Sequence, residues 1–240
     1  MKFARYKHSS ETSYAEGATL VFELLKTKPE IITQIFLRPA EKYGEDIAKI
    51  LKDAEVKNIP VVTSSKPFNV LGAKNACLLI AEFKKTETEI NPDSNHLLLV
   101  NPSDAGNLGT IMRTALAFNI RDIAIIPPAV DHFDPKTVRA SMGALFHLNI
   151  HIFPDFAAYA AQNKNHTTYA FMLNKSAETI LEASQHESEP WTIVMGNEAA
   201  GLPKEYERLC KSVYIPQSDD VDSLNLSIAT ALALYEFTKK

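Results

Sequence analysis

His96-Leu97-Leu98-Leu99-Val100-Asn101-Pro102-Ser103-Asp104-Ala105-Gly106-Asn107-Leu108-Gly109-Thr110-Ile111-Met112-Arg113 runs from an unbroken apolar segment through a polar turn into a helical pattern. Four apolar residues in a row leave no alternation between an inward and an outward face, so the segment reads as a strand covered on both sides, the habit of parallel sheets. Ile123-Ala124-Ile125-Ile126 reads the same way. Working outward, strands are expected at His96–Val100, Asp122–Ile126, residues 148–153 and 168–173, Trp191–Met195 and residues 212–215. Helices fill most of the gaps, and a last helix is expected over residues 224–237. Such alternation implies an α/β domain built on a parallel sheet.

Upstream of this region the pattern predicts a helix over residues 15–26, a strand over 31–37, a helix over 45–55 and strands over 59–63 and 76–83, a smaller α/β sandwich. The polar stretch Lys84-Lys85-Thr86-Glu87-Thr88-Glu89-Ile90-Asn91-Pro92-Asp93-Ser94-Asn95 separates the two regions. The expected division is therefore a domain over residues 1–85, a linker over 86–95 and a second domain over 96–240. No internal repeat or low-complexity tract interrupts either region.

The net charge of −4 hides an uneven distribution: residues 1–85 carry a balance of +4, and residues 96–240 one of −5. That split suits a phosphate-contacting module beside an acidic one, and it equally suits ordinary solvated surfaces. Cys77 and Cys210 both sit in apolar runs and read as reduced, buried thiols. The seven His are scattered without zinc-ligand spacing, so no metal is expected. Met1-Lys2-Phe3-Ala4-Arg5-Tyr6-Lys7 is basic but has no apolar stretch behind it, and the longest apolar runs are strand-sized. No membrane span and a cytoplasmic location are the expectation.

In open parallel sheets ligands gather at the carboxyl ends of strands, and three loops there stand out. In the first, Gly106 and Gly109 would let the backbone approach a ligand, Asn107 suits capping and Arg113 lies about two turns into the helix; taken alone, the loop reads rather as a capped helix with a solvated Arg. The second, Met195-Gly196-Asn197-Glu198-Ala199-Ala200-Gly201-Leu202-Pro203, places a carboxylate between two glycines, as a ligand site or a plain turn with a capping Asn would. The third runs Tyr214-Ile215-Pro216-Gln217-Ser218-Asp219-Asp220-Val221-Asp222-Ser223-Leu224-Asn225-Leu226-Ser227-Ile228-Ala229. Here Ser223 is the expected cap of the final helix, with Asn225 in its first turn and Leu224, Ile228, Ala231, Leu232 and Tyr235 as an apolar stripe. A dinucleotide glycine fingerprint, a phosphate loop and a nucleophile elbow are all missing from the sequence, which disfavours oxidoreductases, nucleoside-triphosphate enzymes and elbow-type hydrolases.

The order and content of the three loops resemble the SpoU (TrmH-like) family of the SPOUT methyltransferases over roughly residues 96–240. The likeness rests on Gly106-Asn107-Leu108-Gly109-Thr110-Ile111-Met112-Arg113-Thr114-Ala115, on Gly196-Asn197-Glu198-Ala199-Ala200-Gly201-Leu202, and on Ile215-Pro216 with Ser223-Leu224-Asn225-Leu226-Ser227-Ile228-Ala229. Arg139-Ala140-Ser141-Met142-Gly143-Ala144-Leu145-Phe146 is similar to the stretch between the family's first two motifs. Tyr14-Ala15-Glu16-Gly17-Ala18 more loosely resembles the ribosomal-protein-like substrate-binding domain of many members. This resemblance implies a parallel sheet ending in a deep trefoil knot, an exception to the avoidance of knots, preceded by a small α/β domain that binds RNA. It implies an RNA 2′-O-ribose methyltransferase that is a homodimer, uses S-adenosylmethionine, and acts on ribosomal RNA ahead of transfer RNA. By position, Leu173, Gly196, Asn197, Ile215 and Leu224 would hold the cofactor, and Asn107, Arg113, Glu198, Ser223 and Asn225 match the family's catalytic and RNA-positioning residues.

Two departures from the family pattern stand out: Gln217 replaces the usual Met after the Ile-Pro pair and Asp219 the usual Gly, while Asp104-Ala105 replaces Asp-Pro. Losing the Gly removes easy access to positive φ. The family mechanism implies that Arg113, supplied by the partner subunit, acts on the ribose 2′-OH; a guanidinium that stays protonated does so by positioning and charge stabilisation. Glu198 and Asn107 would orient Arg113 and the ribose, with Ser223 and Asn225 closing the site. The competing reading, supported by Gln217 and Asp219, is a non-catalytic RNA-binding protein that keeps the knotted fold.

Overall fold

The structure, a computed structural model, describes residues 5–185 and 190–239; Met1 to Ala4, at the basic start of the sequence, lie outside them. In chain order the elements are β1 (Thr12–Glu16), α1 (Ala18–Thr27), β2 (Ile32–Leu37), α2 (Glu45–Val56), β3 (Val61–Thr63), α3 (Lys66–Leu71), β4 (Leu79–Lys84), β5 (His96–Val100), α4 (Ala105–Ala117) and β6 (Asp122–Ile126). There follow α5 (Pro135–Ala140), β7 (Asn149–Ile152), α6 (Phe156–Gln162), β8 (Thr167–Phe171), β9 (Glu178–Thr179), α7 (Ile180–Gln185), β10 (Trp191–Met195), α8 (Tyr206–Leu209), β11 (Lys211–Tyr214) and α9 (Leu226–Thr238). No helix among the described residues is long and apolar enough to cross a membrane. The chain forms two compact units, one of residues 5–86 with 131–147, the other of 87–130 with 148–239.

In the first unit the described residues form a four-stranded sheet in the order β1-β4-β2-β3. β1 and β2 run antiparallel to β4, and β3 parallel to β2. Tyr14, Phe36, Phe68 and Ile80 make a buried apolar cluster. β1 departs from the expectation of a helix over residues 15–26. Gly17, at φ 104°, ends the strand, its N–H donates to the Leu79 carbonyl, and its own carbonyl accepts from Val21 N–H, so the helix starts only at Ala18. α3 is likewise unexpected; Pro67 lies in its first turn and Gly72, at φ 68°, stops it.

The expected division at residues 86–95 leaves out one feature, the return of residues 131–147 to the N-terminal unit. Side chains explain the return. Asp131 accepts hydrogen bonds from Tyr6 Oη and bonds to His8 Nδ1, Phe146 packs edge-on against Phe83 at 5.4 Å, and Arg139 pairs with the buried Glu16 at 3.0 Å. Burial raises the Glu16 carboxyl above its ordinary value, and the Arg139 charge opposes that rise.

In the second unit the described residues form a seven-stranded sheet in the order β7-β6-β5-β10-β8-β11-β9, and each neighbouring pair is parallel. The expectation of a parallel sheet is met, because its strands are apolar on both faces. Leu98, Ala124, Ala170 and Val194 point into a cluster with Phe153, Tyr159 and Tyr206. Alternate residues Leu97, Leu99, Ile123 and Ile193 are also buried, and Phe237 of α9 packs on Tyr169 and Trp191 at 4.9 and 5.4 Å. Cys77 and Cys210 are free thiols, half-buried rather than buried, since each lies at the edge of an element instead of inside it. No cluster of His, Cys, Asp or Glu among the described residues is placed to hold a metal ion.

Candidate active site at the carboxyl ends of the strands

All three loops singled out in the sequence emerge from the same edge of the larger sheet, at the carboxyl ends of β5, β10 and β11, with the end of β8 between the last two. Strand order creates this neighbourhood: β10 lies between β5 and β8, and β8 between β10 and β11. Segments about a hundred residues apart in sequence therefore meet.

The β10 loop closes on itself. Asn197 and Gly201 exchange backbone hydrogen bonds of 3.1 and 3.0 Å, and Asn197 Oδ1 accepts from the N–H groups of Ala199 and Ala200 at 2.9 and 3.0 Å. Gly201 sits at φ 66°. A Cβ on Gly196 would lie 2.3 Å from the Gly201 carbonyl carbon, so the tight closure admits no side chain there. By contrast Gly106 and Gly109 lie within α4, where no positive φ is used. The tight turn expected at them is replaced by regular helix.

This closure aims Glu198 at the first loop. Its Oε2 accepts from Ser103 N–H at 3.0 Å and Ser103 Oγ at 2.7 Å, and its Oε1 accepts from Asp104 N–H at 3.1 Å and Asn107 Nδ2 at 3.3 Å. Asn197 Nδ2 also donates to Oε2 at 3.3 Å. Burial works to raise the Glu198 carboxyl, but the Ser103 hydroxyl and the backbone N–H groups of Ser103 and Asp104 outweigh it and hold the group below the ordinary glutamate value. Glu198 is thus an ionised acceptor saturated with donors.

From Glu198 the bonding continues across the third loop. Asn107 Oδ1 accepts from Asn225 Nδ2 at 3.1 Å, and Asn225 Oδ1 in turn accepts from Ser227 N–H at 2.9 Å and Ser227 Oγ at 2.7 Å. Two expectations about caps are corrected here. Asp104 caps α4, accepting from Asn107 N–H, and Asn225 rather than Ser223 caps the final helix, which begins at Leu226. Asn225 wins because its amide oxygen reaches two residues ahead to an otherwise unpaired helix N–H.

Beside this array lies a cleft of about 320 Å³. Leu173, Gly196, Asn197, Glu198, Ile215, Ser223 and Leu224 line it, and so do Met195, Leu202, Val213, Leu226 and Gln217. The structure therefore brings Asn107, Glu198 and Asn225 into one bonded array and the other candidates, except Arg113, onto the cleft wall. Leu173 is 66% exposed because β8 stops at Phe171, two residues short of the expected end. Arg113 is exposed on α4 and makes no hydrogen bond or ion pair among the described residues. Asp219 is outside the cleft lining and pairs with Lys175, and no residue between Pro216 and Asp222 uses positive φ, so the loop follows a path in which the missing Gly is not needed. Sequence reading overlooked Ser103, Lys204, Glu207 and Ser227; the two serines lie inside the quoted motifs, where polar side chains next to Glu198 and Asn225 were the available signal.

Such a cleft has the size and the apolar walls for a small organic ligand, with the acidic residues Glu198 and Glu207 on its lining. Residues 94–235 match the model described as the SpoU rRNA Methylase family. The chain is 27% identical to the 23S rRNA (guanosine(2553)-2′-O)-methyltransferase RlmP of Bacillus subtilis (strain 168), covering 94% of this chain and 88% of that one. It is 26% identical to the 23S rRNA (guanosine-2′-O-)-methyltransferase RlmB of Acinetobacter baylyi (strain ATCC 33305 / BD413 / ADP1), covering 95% and 97%. Among solved structures, the AdoMet-bound rRNA methyltransferase from Sinorhizobium meliloti superposes with a TM-score of 0.79 at 26% identity, covering 95% of this chain and 87% of that one.

Proposed function

The chain belongs to the SpoU rRNA methylase family, and on that premise we propose that it is an S-adenosylmethionine-dependent RNA 2′-O-ribose methyltransferase, acting on ribosomal RNA ahead of transfer RNA. The observation that carries this reading is the array Glu198–Asn107–Asn225, drawn from three separate loops, at the side of an apolar cleft on the carboxyl edge of a parallel sheet. The activities for which the relatives from Bacillus subtilis and Acinetobacter baylyi are named support it.

The cleft residues fit the cofactor: Met195, Leu202, Ile215 and Leu226 offer an apolar slot for an adenine ring, and the Glu198 and Glu207 carboxylates suit a sulfonium cation. Leu173, Gly196, Asn197, Ile215 and Leu224 would hold S-adenosylmethionine, which supplies a methyl group on a positively charged sulfur. Glu198 does not take the ribose proton, because its lone pairs are occupied and its carboxyl is held low. Its part is to fix Asn107. Arg113, whose guanidinium on α4 has no partner among the described residues, is the group able to bring positive charge to a ribose-phosphate, and as it stays protonated it orients and stabilises. Ser223 and Asn225 complete the site, and a 2′-OH as the acceptor accounts for choosing RNA over DNA.

The proposal extends to four features of the family: a C-terminal trefoil knot, residues 1–85 as a ribosomal-protein-like RNA-binding domain joined by a linker at 86–95 to the methyltransferase domain, a homodimer whose partner subunit supplies Arg113, and a cytoplasmic setting. The insertion of β11 between β8 and β9 supports the first. The exposed apolar side chains Ile228, Leu232 and Tyr235 on α9 support the homodimer. The test is transfer of labelled methyl to ribosomal RNA from cells lacking the gene, with mass-spectrometric mapping of the modified ribose. Wild type is expected to modify one ribose, and Arg113→Ala to lose at least about 100-fold in transfer while its calorimetric affinity for S-adenosylmethionine changes by less than about threefold. Absence of both transfer and saturable heat with wild type would favour the non-catalytic RNA-binding reading instead.

A further inference from the structure

An asparagine amide can turn its oxygen or its nitrogen to a neighbour, and two amides in a row can be inverted together. In the array only the ends decide. At one end the Glu198 carboxylate accepts and cannot donate, so Asn107 must present Nδ2 to it. At the other the Ser227 backbone N–H donates and cannot accept, so Asn225 must present Oδ1 there and Nδ2 to Asn107. Each end is reinforced by a serine in the same way, with backbone N–H and hydroxyl of one residue converging on a single oxygen: Ser103 on Glu198 Oε2 at 3.0 and 2.7 Å, Ser227 on Asn225 Oδ1 at 2.9 and 2.7 Å. Each Asn Nδ2 is left with one N–H that no described residue engages.

We propose that Ser103 and Ser227 are positioning residues whose hydroxyls reinforce the polarity of this array, so that Asn107 and Asn225 meet the RNA ribose-phosphate as hydrogen-bond donors. The proposal rests on the methyltransferase reading above. Ser103 acts through Glu198: without its hydroxyl the carboxylate loses its shortest bond, and with it part of the anchoring that holds Oε1 in line with the Asn107 amide. Ser227 acts through Asn225, whose oxygen would keep only the backbone donor.

Ser103 is exposed, so Ser103→Ala can be made without disturbing the core. With methyl-deficient ribosomal RNA as substrate, S103A is expected to lower kcat about tenfold, the size of effect that one hydrogen bond to a charged group carries. KM for RNA and calorimetric Kd for S-adenosylmethionine should stay within about twofold, and Ser103→Thr, which keeps the hydroxyl, should restore kcat. Independently of turnover, carbon-detected NMR titration of the Glu198 carboxyl should show its midpoint moved upward in S103A. Asp104, whose N–H reaches Glu198, and Lys204 and Glu207, which line the same cleft, are the same in both proteins, so the shift reports Ser103. Because Ser227 is buried, Ser227→Ala is read only alongside its melting temperature. An active wild type with an unmoved Glu198 midpoint and full kcat in S103A overturns this inference alone. A wild type that methylates no RNA overturns the functional reading, and with it the catalytic meaning of the serines, whatever the titration shows.

Discussion

His96, the first residue of β5, is fully buried, and its protons can be placed from its partners. Nε2 faces the Asn91 carbonyl at 2.8 Å and so carries the hydrogen, leaving Nδ1 to accept from Tyr159 Oη at 2.9 Å. Burial pushes its pKa down to about 4, with the bond to Asn91 working the other way and the nearby His166 adding to the fall. The unfolded chain, with an ordinary histidine near 6.5, binds a proton where the folded chain does not. Stability is therefore complete above about pH 6.5, declines as pH falls toward about 4 and levels off below, a loss on the order of 3 kcal/mol for this residue. Urea denaturation between pH 7 and 4 is expected to show a shallower decline for His96→Gln than for wild type; parallel curves would contradict the assignment. At this scale the sequence was legible where a motif carried the residue, as with Asn107, Glu198 and Asn225, and illegible where a role depends on a long-range partner. Nothing in Ser103 alone says that its hydroxyl meets a carboxylate 95 positions later.

At the scale of elements, unbroken apolar runs located β5, β6 and β10 at their true bounds, since a strand buried on both faces must be apolar throughout. β1 was hidden because its Ser13 and Glu16 are polar yet buried, each satisfied by a residue of the 131–147 segment: Ser13 donates to the Phe133 carbonyl, and Glu16 pairs with Arg139. The start of α9 shows an element and a site sharing one side chain. Asn225 caps the helix through Oδ1 and serves Asn107 through Nδ2, so the two duties can be separated chemically. Asn225→Asp keeps an oxygen for the cap and replaces the donor with a second acceptor facing Asn107 Oδ1. Melting temperature is expected to stay within about 2 °C, because Asp and Asn cap about equally well, whereas kcat should fall at least about tenfold. A matching fall in melting temperature would mean that the loss is structural.

For the whole molecule, the apolar stripe expected on the last helix is present but faces outward: Ile228, Leu232 and Tyr235 are 53%, 41% and 53% exposed, while Leu226, Thr230, Ala233, Leu234 and Phe237 face the sheet and α4. The sequence could not distinguish the two faces, since both are apolar. A second copy of the chain is the proposed cover, which makes Leu232→Glu a test at this scale. The variant is expected to sediment as a monomer at micromolar concentration and to lose methyl transfer, with unchanged affinity for S-adenosylmethionine in calorimetry; a dimer persisting in L232E would move the interface elsewhere.

The return of residues 131–147 to the N-terminal unit also sets an order of assembly. A ribosome delivers Tyr6, Glu16 and Phe83 long before Asp131, Arg139 and Phe146, the residues that engage them. The first unit must wait, its own packing unfinished, while β5, α4 and β6 are translated, so a fragment stopped at Thr86 lacks the very side chains that tie down Tyr6 and Glu16.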